Sequence, residues 1–80
     1  MNTDVPNNVQ EFKKVYKDLV KDLVKIRNQA DLTQASMAEW LKVDRRKIMQ
    51  FESLKKINLE LLLLYGHKLS VDINFKYTIQ

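Results

Sequence analysis

Eighty residues carrying a net charge of +4 make one small domain, able to bury only a modest fraction of its surface. A hydrophobic content of 45% beside 30% charged residues excludes a disordered chain, and the lack of cysteine excludes disulfides and thiolate metal sites. The most apolar run, residues 61–65, is far too short to span a bilayer and no signal peptide opens the chain, so a soluble, cytoplasmic protein without a membrane partner is expected.

Residues 1–8 are polar with one proline, and a flexible N-terminus is expected there. From Val9 to Gln29 the pattern is helical, with Phe12, Val15, Tyr16, Leu19, Leu23, Ile26 and Ala30 on one apolar stripe and Lys13, Lys17, Lys21 and Lys25 mostly elsewhere. The first half of this helix either covers the core or offers Phe12 and Tyr16 to a second copy or a partner. Asp31 breaks it. Thr33 is then a natural N-cap for a second helix, with Leu32 and Met37 spaced as a hydrophobic staple. Asp44 caps a third in the same way, with Val43 and Ile48 as its staple. Ala35, Met37, Ala38 and Leu41, then Ile48, Met49 and Phe51, recur at helical spacing and predict a core that includes both methionines.

The third helix opens with Arg45, Arg46 and Lys47. Three cations in a first turn oppose the helix dipole, each costing a few tenths to about 1 kcal/mol when exposed. Helix stability therefore does not explain them, whereas an anionic ligand does, a nucleic-acid backbone above all. Residues 42–56 hold six basic side chains (Lys42, Arg45, Arg46, Lys47, Lys55, Lys56) against two acidic ones (Asp44, Glu52), so the charge of the whole chain is concentrated there. In the major groove arginine bonds bidentately to guanine and glutamine to adenine, which makes Arg45, Arg46 and Gln50 candidates to read bases.

Residues 53–57 read as a basic loop, and Asn58 as the N-cap of a fourth helix, Leu59 to Leu69, apolar almost all round with Gly66 inside it. The period then changes. Val71, Ile73, Phe75, Tyr77 and Ile79 alternate with Asp72, Asn74, Lys76 and Thr78, the pattern of a half-buried strand. No second strand is evident to pair with it. The simplest partner is the same strand from a second copy across a two-fold axis, the alternatives being a fold-back onto the helices or ordering by another protein.

The stretch from Leu32 to Glu52 resembles the helix-turn-helix of the phage Cro and repressor (XRE-type) family. Leu32, Thr33, Gln34 and Ala38 carry the likeness, with Val43, Ile48 and Glu52 after them. It extends back to Leu23, Ile26 and Arg27 and forward through Leu59, Leu62, Leu63, Leu69 and Val71. Lys42 stands where the family usually has the turn glycine, and Leu54 where a glycine often follows the third helix. A non-glycine in a left-handed turn costs on the order of 1 kcal/mol.

The resemblance implies a mainly α protein: a four- to five-helix repressor-like helix-turn-helix domain over residues 9–70, with an extended first helix, and a C-terminal β-strand over 71–80 for dimerisation. It supports Arg45, Arg46 and Gln50 as base readers. In the related proteins the N-terminus of the second helix abuts a phosphate, which makes Thr33 and Gln34 backbone or supporting contacts, with Thr33 alternatively a pure cap and Gln34 a brace for the third helix. Lys47 is open between base and phosphate, and Lys55, Lys56, Asn28 and Asn58 are further phosphate candidates. Arg27 and Glu52 resemble a pair tying the first helix to the end of the third. In the related pattern Trp40, Leu61 and Leu64 would be polar, so their apolar side chains suggest a partner surface. The expected function is a transcriptional regulator, a repressor binding double-stranded DNA at a palindromic operator as a homodimer through residues 44–52. The alternative is an antitoxin that neutralises a partner toxin by protein contact and regulates its own operon. His67 has no companion ligand, and Ser36, Ser53 and Ser70 have no positioned base, so neither an enzyme, a metal site nor a cofactor is expected.

Overall fold

Asn8, Thr33, Asp44 and Asn58 each start a helix by taking an early backbone N–H on a side-chain oxygen. The computed structural model describes residues 8–71, and the helices are α1 (Val9–Gln29), α2 (Gln34–Leu41), α3 (Arg45–Glu52) and α4 (Leu59–Lys68). The protein is thus mainly helical over its described part. The polar N-terminal segment assigned from sequence to 1–8 yields its last residue to α1, since Asn8 accepts from the Glu11 N–H at 2.9 Å. Of the predicted C-terminal strand only Val71 is described, half-buried against the core. Ile73, Phe75, Tyr77 and Ile79 lie outside the described residues.

All four helices end alike. Within two residues of each C-terminus the backbone turns left-handed: Asp31 (φ 59°), Lys42 (φ 58°), Leu54 (φ 64°) and Ser70 (φ 58°). Each is closed by a pair of backbone hydrogen bonds reaching back into the last turn, as when Val43 N–H donates to Ala38 O at 3.0 Å and Lys42 N–H to Glu39 O at 3.2 Å. Such closures favour glycine at the left-handed position because a Cβ crowds the following carbonyl there. The turns after α2 and α3 therefore close without glycine, with Lys42 and Leu54 taking the strain. Gly66 is spent instead inside α4, where it is buried and accepts from the Val71 N–H at 2.8 Å.

The core gathers Tyr16, Val20 and Leu23 of α1, Met37, Ala38 and Leu41 of α2, Ile48 and Phe51 of α3, and Leu61, Leu62 and Tyr65 of α4. Val20, absent from the predicted stripe, is fully buried, while Ala30 at the stripe's end is exposed. The N-terminal half of α1 covers the core. Tyr16 is buried, Phe12 stacks on it with ring centroids 6.5 Å apart, and its hydroxyl accepts the Asn58 N–H at 2.8 Å. That removes Tyr16 from any partner surface. Phe51 and Tyr65 meet at 4.7 Å between ring centroids, joining α3 to α4.

Candidate nucleic-acid interface

α3 is short, and its orientation is set by what it buries. Ile48 and Phe51 face the core, which turns Arg45, Arg46, Lys47, Met49 and Gln50 to solvent. Met49 is 46% exposed, so the sequence-based placement of this residue in the core is corrected. Ile48 and Phe51, three residues apart, already fill the inward stripe, and Met49 falls on the flank between the bases' candidate readers. It lines a groove with Arg46, Gln50, Ser53 and Lys55. A second groove is lined by Lys47, Gln50, Phe51, Lys56, Ile57 and Asn58. Three of the predicted contact residues on α3 (Arg46, Lys47 and Gln50) and both loop lysines therefore line two grooves that meet at Gln50, while Arg45 is exposed and lines neither.

Arg46 is not free on that face. Its Nε and Nη2 donate to the two carboxylate oxygens of Asp44 at 3.3 and 3.2 Å, and its backbone N–H donates to Oδ1 at 2.7 Å. These bonds hold the Asp44 carboxyl below its ordinary value and the Arg46 guanidinium above its own. Arg46 therefore opposes the helix dipole less than its neighbours do, because the Asp44 carboxylate beside it offsets its charge, which corrects the expectation for this one residue. Arg45 and Lys47 form no ion pair among the described residues.

The opposite end of α3 is buried and fully bonded. Glu52 accepts from Arg27 Nε at 2.7 Å and Tyr65 Oη at 2.6 Å on one oxygen. On the other it accepts from Arg27 Nη2 at 2.8 Å and Gln34 Nε2 at 3.1 Å. Arg27 also donates to the Leu32 carbonyl. One carboxylate thus joins all four helices, and the predicted Arg27–Glu52 tie is present. Burial works to raise the Glu52 carboxyl, but the hydrogen bonds from Arg27, Tyr65 and Gln34 outweigh it and hold it below its ordinary value. Burial and the same hydrogen bond push the Tyr65 phenol well above its own.

The remaining predicted residues separate. Gln34 is a brace, its amide engaged with Glu52. Thr33 is a cap, accepting the Ser36 N–H at 3.0 Å and donating to Ser36 Oγ at 2.9 Å, with its surface exposed. Asn28 is exposed near the end of α1 and lines neither groove of the α3 face. Asn58 spends its side-chain oxygen on the Leu61 N–H.

The apolar partner surface expected at Trp40, Leu61 and Leu64 is corrected as well. Leu61 is 2% exposed and Leu64 is half-buried against the core. α4 buries a stripe of Leu61, Leu62, Tyr65 and Gly66, so the outward leucines are Leu59 and Leu63, one turn apart. Trp40 is 43% exposed, with Lys68 Nζ over its ring at 5.4 Å. Among the described residues no cluster of His, Cys, Asp and Glu could hold a metal ion, and no helix is long and apolar enough to cross a membrane. No family model, curated protein or solved structure matches the chain.

Proposed function

We propose that this protein is a sequence-specific regulator that binds double-stranded DNA by laying α3 in the major groove, as a Cro- or repressor-like helix-turn-helix protein does. The observation that carries the reading is the division of α3 into a buried pair, Ile48 and Phe51, and an exposed face of Arg45, Arg46, Lys47, Met49 and Gln50. Arg45, Arg46 and Gln50 read base edges, and Met49 adds an apolar contact of the kind that suits a thymine methyl. Lys47, Lys55 and Lys56 take phosphates. Repression follows from occupying a promoter, and a palindromic operator is bound by a homodimer whose recognition helices lie about 34 Å apart.

The test is a binding titration against DNA fragments, including the region upstream of the protein's own gene, at two salt concentrations. One fragment bound far more tightly than bulk DNA, with a steep salt slope, supports the reading. Uniformly weak binding overturns it. The homodimer is tested separately at Phe75: a Phe75→Glu protein is expected to sediment as a monomer and to lose operator affinity, and unchanged sedimentation rejects strand-mediated dimerisation.

The exposed Leu59 and Leu63 side of α4, with Trp40 as a further exposed apolar group, favours a second reading, an antitoxin that neutralises a partner toxin through the α4 face and autoregulates its operon. Leu63→Lys is then expected to abolish toxin neutralisation while leaving DNA binding intact. Retained neutralisation excludes this face.

A further inference from the structure

Beside the two α3 grooves lies a third cleft, lined by Lys13 and Lys17 of α1, by Lys55 and Lys56 of the loop, and floored by Tyr16, Leu54 and Ile57. It presents four ammonium groups and no carboxylate. Lys55 also lines the groove of Arg46 and Gln50, and Lys56 that of Lys47 and Gln50, so one positive surface runs from α3 across the loop to α1. None of the four lysines makes an ion pair among the described residues.

The charges of Lys13 and Lys17 do not stabilise the helix that carries them. Lys13 and Lys17 are four residues apart, a spacing at which like charges repel and weaken a helix. Their position, in contrast, is held. Tyr16 lies between them in sequence, is 3% exposed, and accepts the Asn58 N–H at 2.8 Å. The start of α1 is thereby pinned to the residue that closes the lysine loop.

We propose that Lys13 and Lys17 form a second phosphate clamp, gripping the backbone of the same duplex whose major groove receives α3. The inference rests on the DNA-binding reading above and extends its footprint to the added length of α1. An acidic peptide has the charge to fill the cleft too. Continuity with Arg46 and Gln50 favours the duplex, because one rigid polyanion can follow the whole surface.

The test uses the full chain with Lys13→Gln and Lys17→Gln together, a fluorescent mixed-sequence duplex as probe, and a series of salt concentrations. A Lys25→Gln, Lys68→Gln protein carries the same net charge and serves as the comparison. Loss of two phosphate contacts is expected to make the slope of log affinity against log salt shallower by about 1.8, equally on every sequence. The comparison protein should keep the wild-type slope, and thermal melting should show all three folded. An unchanged slope in the Lys13, Lys17 protein overturns the clamp, as does an equal fall in the comparison protein. Loss of polyglutamate binding with DNA binding intact assigns the cleft to an acidic peptide and overturns it too. A wild-type protein that binds no duplex at all overturns the DNA reading itself, and is seen before any variant is made.

Discussion

The two ends of α3 treat charge in opposite ways. At its C-terminus a single carboxylate, Glu52, is buried and receives hydrogen bonds from Arg27, Gln34 and Tyr65. At its N-terminus Arg45, Arg46 and Lys47 are exposed, and only Arg46 has an ionic partner among the described residues. A buried charge is tolerated only when its hydrogen-bonding capacity is filled, so the first end fixes where the helix sits. An exposed charge without a partner adds little to stability and remains available to a ligand. A fixed, buried charge and an exposed cationic turn thus lie at the two ends of one eight-residue helix.

The sharpest way to break this division is at Glu52. Glu52→Ala leaves Arg27 as a buried cation without its carboxylate, and is expected to cost about 3–5 kcal/mol of stability, measured as the shift of a urea unfolding curve. Loss of DNA binding should follow from unfolding. The same carboxylate predicts a pH dependence. Its folded value lies below its unfolded one, so its contribution is complete above the unfolded value of about 4.3 and is lost as pH falls through the folded value. Urea midpoints should therefore drop on acidification below that range, and a Glu52→Gln protein should show a flatter profile.

At the other end the expected losses are in binding and not in folding. Arg46→Ala is expected to cost about 1–3 kcal/mol on the operator and to relax sequence preference at one position. An equal loss on all sequences would make Arg46 a phosphate contact. Its melting temperature should change little, since the Asp44 oxygen still caps the helix through the backbone N–H.

Much of this contrast was legible in the chain. The caps at Thr33, Asp44 and Asn58 are short-range features, and each falls where the side-chain type and spacing place it. The helix over Val9–Gln29 follows from an apolar stripe long enough to be unambiguous. The misplacements share a cause. Met49, Leu61 and Leu64 lie in segments with apolar residues on adjacent faces, where periodicity permits more than one rotation and only contacts with other helices choose between them. Gln34 could have met phosphate or braced α3, and its partner Glu52 is eighteen residues away. At Arg46 the helix dipole is only half of the local electrostatics, because Asp44, two residues before it, supplies an ionic partner.

The left-handed residues at the helix ends allow a finer test of the same division. Lys42 and Leu54 hold left-handed backbones next to the two ends of α3. Lys42→Gly removes a Cβ from a strained position and is expected to stabilise the fold by up to about 1 kcal/mol, less the entropy a glycine adds to the unfolded chain. The shift should appear in thermal melting with the salt slope for DNA lowered by no more than one contact. Destabilisation would mean that the Lys42 side chain, not its backbone, holds the turn.

The smallest expected effect isolates the one point where cap and binding face share a residue. In Asp44→Asn the side-chain oxygen still accepts the Arg46 N–H, and asparagine caps helices about as well as aspartate, so stability should move by only a few tenths of a kcal/mol. The ionic hold on the Arg46 guanidinium is gone, however, and so is a negative charge that would repel a phosphate backbone brought to this turn. Operator affinity should rise at low salt, and that gain should shrink as salt is added. Affinity that falls instead, with the fold intact, would mean that the Asp44 carboxylate aims Arg46 at its base. The ion pair seen between them at 3.2 Å would then be part of the reading geometry and not a competitor for it.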